Sequence, residues 1–264
     1  MNWQAFEEQV KNIYSVLLNM KDEGILVSRN TTLFSNSGIP HQIDVYYEFK
    51  KADLVHKVAI ECKNTQRPVD KGKVQEFESK IRDLNNVIGV MVSANGYQDN
   101  AKKFADQKGL IALEFSQLPT MVSLIGKRIK TVALPDETYI GEPFWTIMEV
   151  RNGETTGTYF TNNHPGVNKH LIPLVYSEIY AQQIMKQAQL NPKQWAVRGL
   201  PLYSLRAFIL MLELAEMNRQ GAMIGLKPPQ SDESEPFIWI PITREELIQY
   251  YYGKPIPLIA ENNS

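Results

Sequence analysis

The sequence contains a single cysteine, Cys62, in 264 residues, so no disulfide forms within the chain and nothing points to an oxidising compartment. It lacks a long apolar run: the most apolar stretch, "LRAFILMLELA", is too short and too charged to span a bilayer. It also lacks a strong charge of either sign. A formal net charge of −1 argues against a protein that coats nucleic acid by bulk electrostatics. The opening residues, "MNWQAFEEQVKNIY", have no basic segment followed by an apolar core. A signal peptide is therefore not expected, and a cytoplasmic setting without membrane contact is. Four histidines are scattered without metal-ligand spacing, against a zinc site. There is no phosphate-cradling glycine loop and no Gly-x-Ser-x-Gly elbow. What remains, with 43% hydrophobic and 22% charged residues, is a globular protein long enough for one large domain or two ordinary ones.

Hydrophobic spacing divides the chain. "WQAFEEQVKNIYSVLLNM" places apolar residues at a helical period, with Gly24 as its stop. "ILVSRNTTLF", "HQIDVYYEFK" and "LVHKVAIECKN" read as three strands joined by the turns "SNSGIP" and "KKAD". A helix over "VDKGKVQEFESKIRDLN", a buried strand "NVIGVMVSA", a short helix before Gly109 and a strand "LIALEF" follow. The order α-β-β-β-α-β-α-β predicts an α/β domain over residues 1–118, a mixed sheet flanked by helices on both faces. From about residue 119 the texture changes. A linker is expected over 119–134 and a second, α+β domain over 135–264. That domain is cut by prolines, with a hairpin near 144–162, two helices, a late strand in "PFIWIPI" and a capped closing helix. "PPQSDESEP", residues 228–236, reads as an exposed loop.

Two of the strands carry charge in their interiors, which is expensive unless the charges are paired or bind an ion. Alternation puts Gln42, Asp44 and Tyr46 on one face and Ile43, Val45 and Tyr47 on the other. In the next strand Ala59, Glu61 and Lys63 share a face. If the strands are antiparallel neighbours, Asp44 meets Glu61 and Lys63 at one point of the sheet. Two carboxylates there repel unless a hard divalent cation lies between them. Mg2+, with Mn2+ as an alternative, takes one or two carboxylates plus phosphate, and the main-chain carbonyl of Cys62 supplies another oxygen. Lys63 then faces the position of a phosphate oxygen or attacking water. The bland reading is a cross-strand ion pair between Asp44 and Lys63. Around this strand, residues 50–82 hold nine Lys and Arg against five acids. Arg67, Lys71 and Lys73 are its candidate phosphate contacts, and a solvated helix face is the alternative.

"Gly38-x5-Asp44 … Glu61-x-Lys63" on consecutive strands between two helices resembles the PD-(D/E)xK nuclease superfamily. It is most similar to the Mrr-like restriction endonucleases and the archaeal Holliday-junction resolvases. The resemblance covers residues 1 to about 115. It implies a restriction-endonuclease-like fold, a metal-dependent endonuclease acting on double-stranded DNA, and a restriction or phage-defence setting. It further implies that Glu7 on the first helix joins the metal site, ahead of Glu8, and that Gln75 on the helix after the lysine belongs to the site. "SGIPHQID" departs from the family by carrying proline and histidine in place of a glycine-rich turn, and His41 is expected to close that turn.

The second domain vaguely resembles the SseB-like α+β module through "IPLVYSEIYAQQ" and "VRGLPLYSLRAFI". It offers no catalytic cluster, so partner binding, signal sensing or self-association is expected of it. Cutting both strands of a duplex with one site per chain suggests a homo-oligomer. The competing readings are a junction-selective nuclease and a nuclease fold that binds nucleic acid or a partner without cutting.

Overall fold

A computed structural model describes residues 2–256, apart from 218, 229, 230 and 233. The chain divides into two compact units, Met1–Arg128 and Ile129–Ser264. The first begins with helix α1 (Trp3–Leu18), capped by Asn2, whose side-chain oxygen accepts the Ala5 amide at 2.7 Å. Phe6, Val10 and Ile13 recur along its buried stripe. The helix ends at Asn19 rather than Gly24. The Asn19 amide donates to the carbonyls of Ser15 and Ile25, and its oxygen accepts the Ile25 N–H. These bonds turn the chain into the sheet, while Gly24 sits at positive φ in the connecting loop.

Strands β1 (Val27–Phe34), β2 (Pro40–Lys51), β3 (Leu54–Lys63), β4 (Ile88–Ser93) and β5 (Ile111–Glu114) lie in the sheet in sequence order. The first three form an antiparallel meander, and β3, β4 and β5 run parallel. Parallel neighbours need crossovers, and α2 (Lys71–Leu84) and α3 (Asp99–Gln107) supply them. Val10, Val45, Ile60 and Val92 pack in the cluster under α1. On the opposite face Val74, Phe77, Met91 and Ala105 pack between sheet, α2 and α3. The predicted element order and two-sided covering are both present. Segment 119–134, expected as a linker, is mostly helix α4 (Met121–Ala133), with Leu124 buried and Arg128 2.6 Å from Asp22.

Strict alternation fails at one level of the sheet. The β1–β2 ladder pairs Arg29 with Val45 and Thr31 with Ile43, and Asn30 between them has φ of +52°. Ile43 packs with Ala59, Leu84 and Tyr46, whereas Val45 and Tyr47 pack under α1. The expectation that Ile43, Val45 and Tyr47 share a face is thus corrected. A left-handed residue interrupts the pleat, and Asp44 sits where β2 changes sides.

The second unit contains β6 (Phe144–Arg151), β7 (Glu154–Tyr159), β8 (Asn162–His164), β9 (Val167–Val175), α5 (Glu178–Gln187), β10 (Trp195–Leu200), α6 (Leu202–Met217), β11 (Gln220–Leu226), β12 (Ile238–Ile242) and α7 (Arg244–Leu247). Its sheet runs β10-β6-β9-β11-β12, with β7 on β6 and β8 on β9. Phe208, Leu212 and Leu247 cover one face, and Ala181 and Ile184 the other. The hairpin, both helices, the late strand and the Thr243 capping box match expectation, but β8 to β11 were not anticipated. Pro173 hides β9, because proline reads as a strand breaker. Only Trp145↔Val175 pairs β9 with β6, and the Pro173 carbonyl accepts the Thr146 hydroxyl at 2.9 Å instead. Gly199 hides β10: a Cβ there would lie 2.3 Å from the Tyr139 carbonyl oxygen, so close backbone approach requires glycine. Loop 228–236 falls partly outside the described residues.

Candidate active site

Four elements bring the charged residues together: β2, β3, α1 and α2. The β2–β3 ladder ends at the pair Val45↔Ile60, next to Asp44 on one strand and Glu61 on the other. Asp44 Oδ2 accepts the Cys62 backbone N–H at 2.7 Å, which ties the carboxylate to the neighbouring strand. Glu61, only 7% exposed along its side chain, accepts Lys63 Nζ at 2.6 Å on Oε1 and Lys80 Nζ at 3.3 Å on Oε2. The Asp44–Lys63 pair of the bland reading is therefore not the contact formed; Lys63 turns to Glu61. From α1, Glu7 lies 5% exposed, and its Oε2 is buried without a hydrogen-bond partner.

The electrostatics follow from this crowding. Burial pushes the Glu7 carboxyl up, and the charges of Asp44 and Glu61 push it further against the pull of Arg29. Asp44 is raised for the same first reason, with Glu61 adding and the Cys62 amide, Lys63 and Lys80 opposing. For Lys63, burial disfavours the ammonium, but the hydrogen bond and charge of Glu61, with Asp44 and Glu76, outweigh it and raise its pKa. Lys63 is consequently a fixed positive charge rather than a proton acceptor. The Cys62 thiol is raised by burial and then by the three carboxylates, which removes it as a nucleophile. Among the described residues no group of three or more His, Cys, Asp or Glu side chains is drawn together closely enough to hold a metal ion. The carboxylates are neighbours in field rather than a closed coordination shell.

Several expected residues lie elsewhere. Gln75 is exposed on α2, and its side chain makes no hydrogen bond or ion pair with the described residues. The residues of α2 that address the cluster are Glu76 and Lys80. Lys73, Glu76 and Lys80 follow one another at i, i+3 and i+7, a helical stripe that was readable in the sequence and was missed. Arg29 was missed too; it bonds the Gln4 carbonyl and lies 3.4 Å from Glu8. Of the basic patch, Lys73 pairs with Glu76 at 3.1 Å and Lys71 lies over the Phe104 ring at 5.2 Å. Arg67 is exposed and unpaired. His41, expected to close the β1–β2 turn, instead pairs with Asp83 of α2. The turn is held by Ser35, whose N–H donates to the Ile39 carbonyl.

Residues 1–122 match the family model of the Mrr-type restriction endonuclease catalytic domain. Over those residues the amino-terminal unit is similar to a restriction-endonuclease domain. The model leaves residues 123–264 unmatched, so the SseB-like reading of the second unit receives no support from it. No curated protein matches the chain. Solved structures resemble part of it. A protein of unknown function, AF1548, is 18% identical with a TM-score of 0.37, over 52% of this chain and 70% of that one. EndoMS bound to double-stranded DNA is 17% identical with a TM-score of 0.31, over 43% and 45%. The MspJI restriction endonuclease with a 27-mer oligonucleotide is 16% identical with a TM-score of 0.31, over 48% and 28%. The chain thus spans less than half of the last two proteins. At such scores these likenesses carry no functional argument.

Proposed function

We propose that the protein is a divalent-metal-dependent endonuclease that hydrolyses phosphodiester bonds of double-stranded DNA, working in the cytoplasm in restriction or phage defence. The observation that carries the metal requirement is Glu7 Oε2, a buried acceptor without a donor beside two further carboxylates. Carboxylate oxygens of this kind suit a hard cation. Asp44 Oδ1, outside the Cys62 hydrogen bond, adds a second available oxygen. Glu7, Asp44, Glu61 and the Cys62 carbonyl would hold Mg2+ or Mn2+, whose role is to neutralise charge on the phosphate.

The chain's own residues do the rest. Lys63, kept protonated by Glu61, offers a fixed ammonium to a phosphate oxygen as negative charge grows in the transition state. The Cys62 amide fixes Asp44 before substrate arrives, so no reorganisation is needed at the moment of reaction. Arg67, which has no ion-pair partner among the described residues, engages backbone phosphate, with Lys71 and Lys73 joining on release from Phe104 and Glu76. The second unit pairs two chains or senses a partner, so that two sites act on one duplex.

The test is a supercoiled plasmid incubated with protein and Mg2+, then with excess EDTA. Cleavage that EDTA stops supports the reading, and binding without cleavage makes the domain a recognition module. A cruciform plasmid cut far faster than a linear duplex would make it a junction-selective nuclease.

A further inference from the structure

The Lys80 contact to Glu61 comes from α2, outside the strand motif. Lys80 Nζ reaches Glu61 Oε2 at 3.3 Å, while Lys63 holds Oε1 at 2.6 Å. Both oxygens of the proposed ligand Glu61 are therefore occupied by ammonium groups. Three carboxylates in a mostly buried site are costly without cations, and two lysines meet part of that need. The two are not equivalent. Lys63 sits two residues from Glu61 on the same strand with the shorter bond. Lys80 has the longer bond and a flexible stem on a helix surface. It also has a second berth. Glu76, one turn earlier at i−4, is held ionised first by its Lys73 hydrogen bond and further by the charges of Lys63 and Lys80.

We infer that Lys80 is a tethered cation that occupies the Glu61 end of the metal site when no divalent ion is bound and moves to Glu76 when one enters. This rests on the metal-dependent reading above. Lys80 thereby keeps the empty site folded and lowers its affinity for metal, since each ion that binds must displace an ammonium. Lys63 stays on Glu61, ready for phosphate. The arrangement gives Glu76 and Lys73 a role at an otherwise ordinary exposed helix position.

The probe is Mn2+ titrated calorimetrically into the metal-free full-length protein without DNA. Lys80→Met, which keeps the stem and removes the charge, should bind Mn2+ about tenfold more tightly than wild type, as expected for deleting one competing charge in a partly buried site. Glu76→Gln removes the second berth and should bind Mn2+ about two- to threefold more weakly, in the range of an exposed charge pair. Lys80→Arg retains the competitor and should not gain affinity. An affinity of Lys80→Met equal to or below wild type overturns the inference. If Lys80→Met fails to fold, Glu76→Gln decides, and unchanged Mn2+ affinity there overturns it. Asp44→Asn separates the two levels. Wild-type binding lost in Asp44→Asn but unaffected by Lys80→Met sinks only the Lys80 inference. Absence of Mn2+ binding in wild type and all variants sinks the metal site as well.

Discussion

Glu7→Gln should stabilise the metal-free protein at neutral pH, against the general rule that changes at buried positions destabilise. The reason lies in the site. Glu7 is almost wholly buried, its Oε2 has no donor, and Asp44 and Glu61 add like charge. A carboxyl whose pKa is raised on folding holds its proton more tightly in the folded chain than in the unfolded one. Its contribution is fully present below the unfolded values of 4.5 for Glu7 and 3.8 for Asp44, and is lost as pH rises through their raised folded values. Glu76, Glu149, Glu154 and Glu246 are lowered, first by hydrogen bonds from Lys73, Thr156, Lys130 and the Thr243 backbone respectively. They act in the opposite sense, and their effect is complete once pH exceeds their ordinary value of 4.5. A fall in stability as pH rises above the ordinary carboxylate values therefore has the sign expected of Glu7 and Asp44 and the opposite of that expected of the four lowered carboxylates. An unsatisfied buried polar group costs ~1–3 kcal/mol. Glutamine removes the charge and presents an amide to neighbouring carboxylates, so we expect a gain of about 1–2 kcal/mol at neutral pH. That corresponds to roughly 2–8 °C in Tm. The assay is thermal unfolding in EDTA at about pH 5 and about pH 7.5, with and without MgCl2. Wild type should lose stability between the two and regain it with Mg2+; Glu7→Gln should show smaller changes of both kinds, keeping the part that belongs to Asp44. A lower Tm for Glu7→Gln at the higher pH without metal, or a wild type whose stability rises across the interval, would refute the reasoning.

Asp44→Ala, Glu61→Ala and Lys63→Ala should each lower Mg2+-dependent cleavage at least ~100-fold while circular dichroism stays native. Normal cutting by all three means that the cluster is not the active site, and unfolding would make it a structural ion pair. Gln75→Ala should cut like wild type in the same assay. Replacing Arg67, Lys71 and Lys73 together should weaken DNA binding at every sequence and reduce the log K–log salt slope by about 1–2, fewer than three contacts because two lysines have partners within the protein. An unchanged slope leaves the patch a solvated face. Residues 1–133, ending with α4, should fold alone and nick plasmid without coordinated double-strand breaks. Light scattering and a nicking assay check this, and double-strand breaks as fast as those of the full chain would refute a controlling role for the second unit.

Most of the first unit was legible from local pattern. Helix period in α1 and α2 and continuous apolar runs in β4 and β5 each report burial along one segment, so element order followed from short stretches, whereas the alternation expected of β2 fails at Asp44. The second unit was less legible because its central strands break local rules for tertiary reasons. Pro173 is tolerated where β9 barely pairs with β6, and Gly199 is demanded by a chain segment some sixty residues earlier. The same division runs through the site. Sequence spacing determined which acids and which lysine face one another. Only the folded chain decided that Lys63 bonds Glu61 rather than Asp44, that Asp44 is tied by the Cys62 amide, that Glu7 Oε2 is left without a donor, and that Lys80 rather than Gln75 reaches the cluster. Those outcomes depend on how α1 and α2 dock on opposite faces of the sheet and on the interruption of the pleat at Asn30, and a pattern along one strand carries no record of which side chain from another element arrives first.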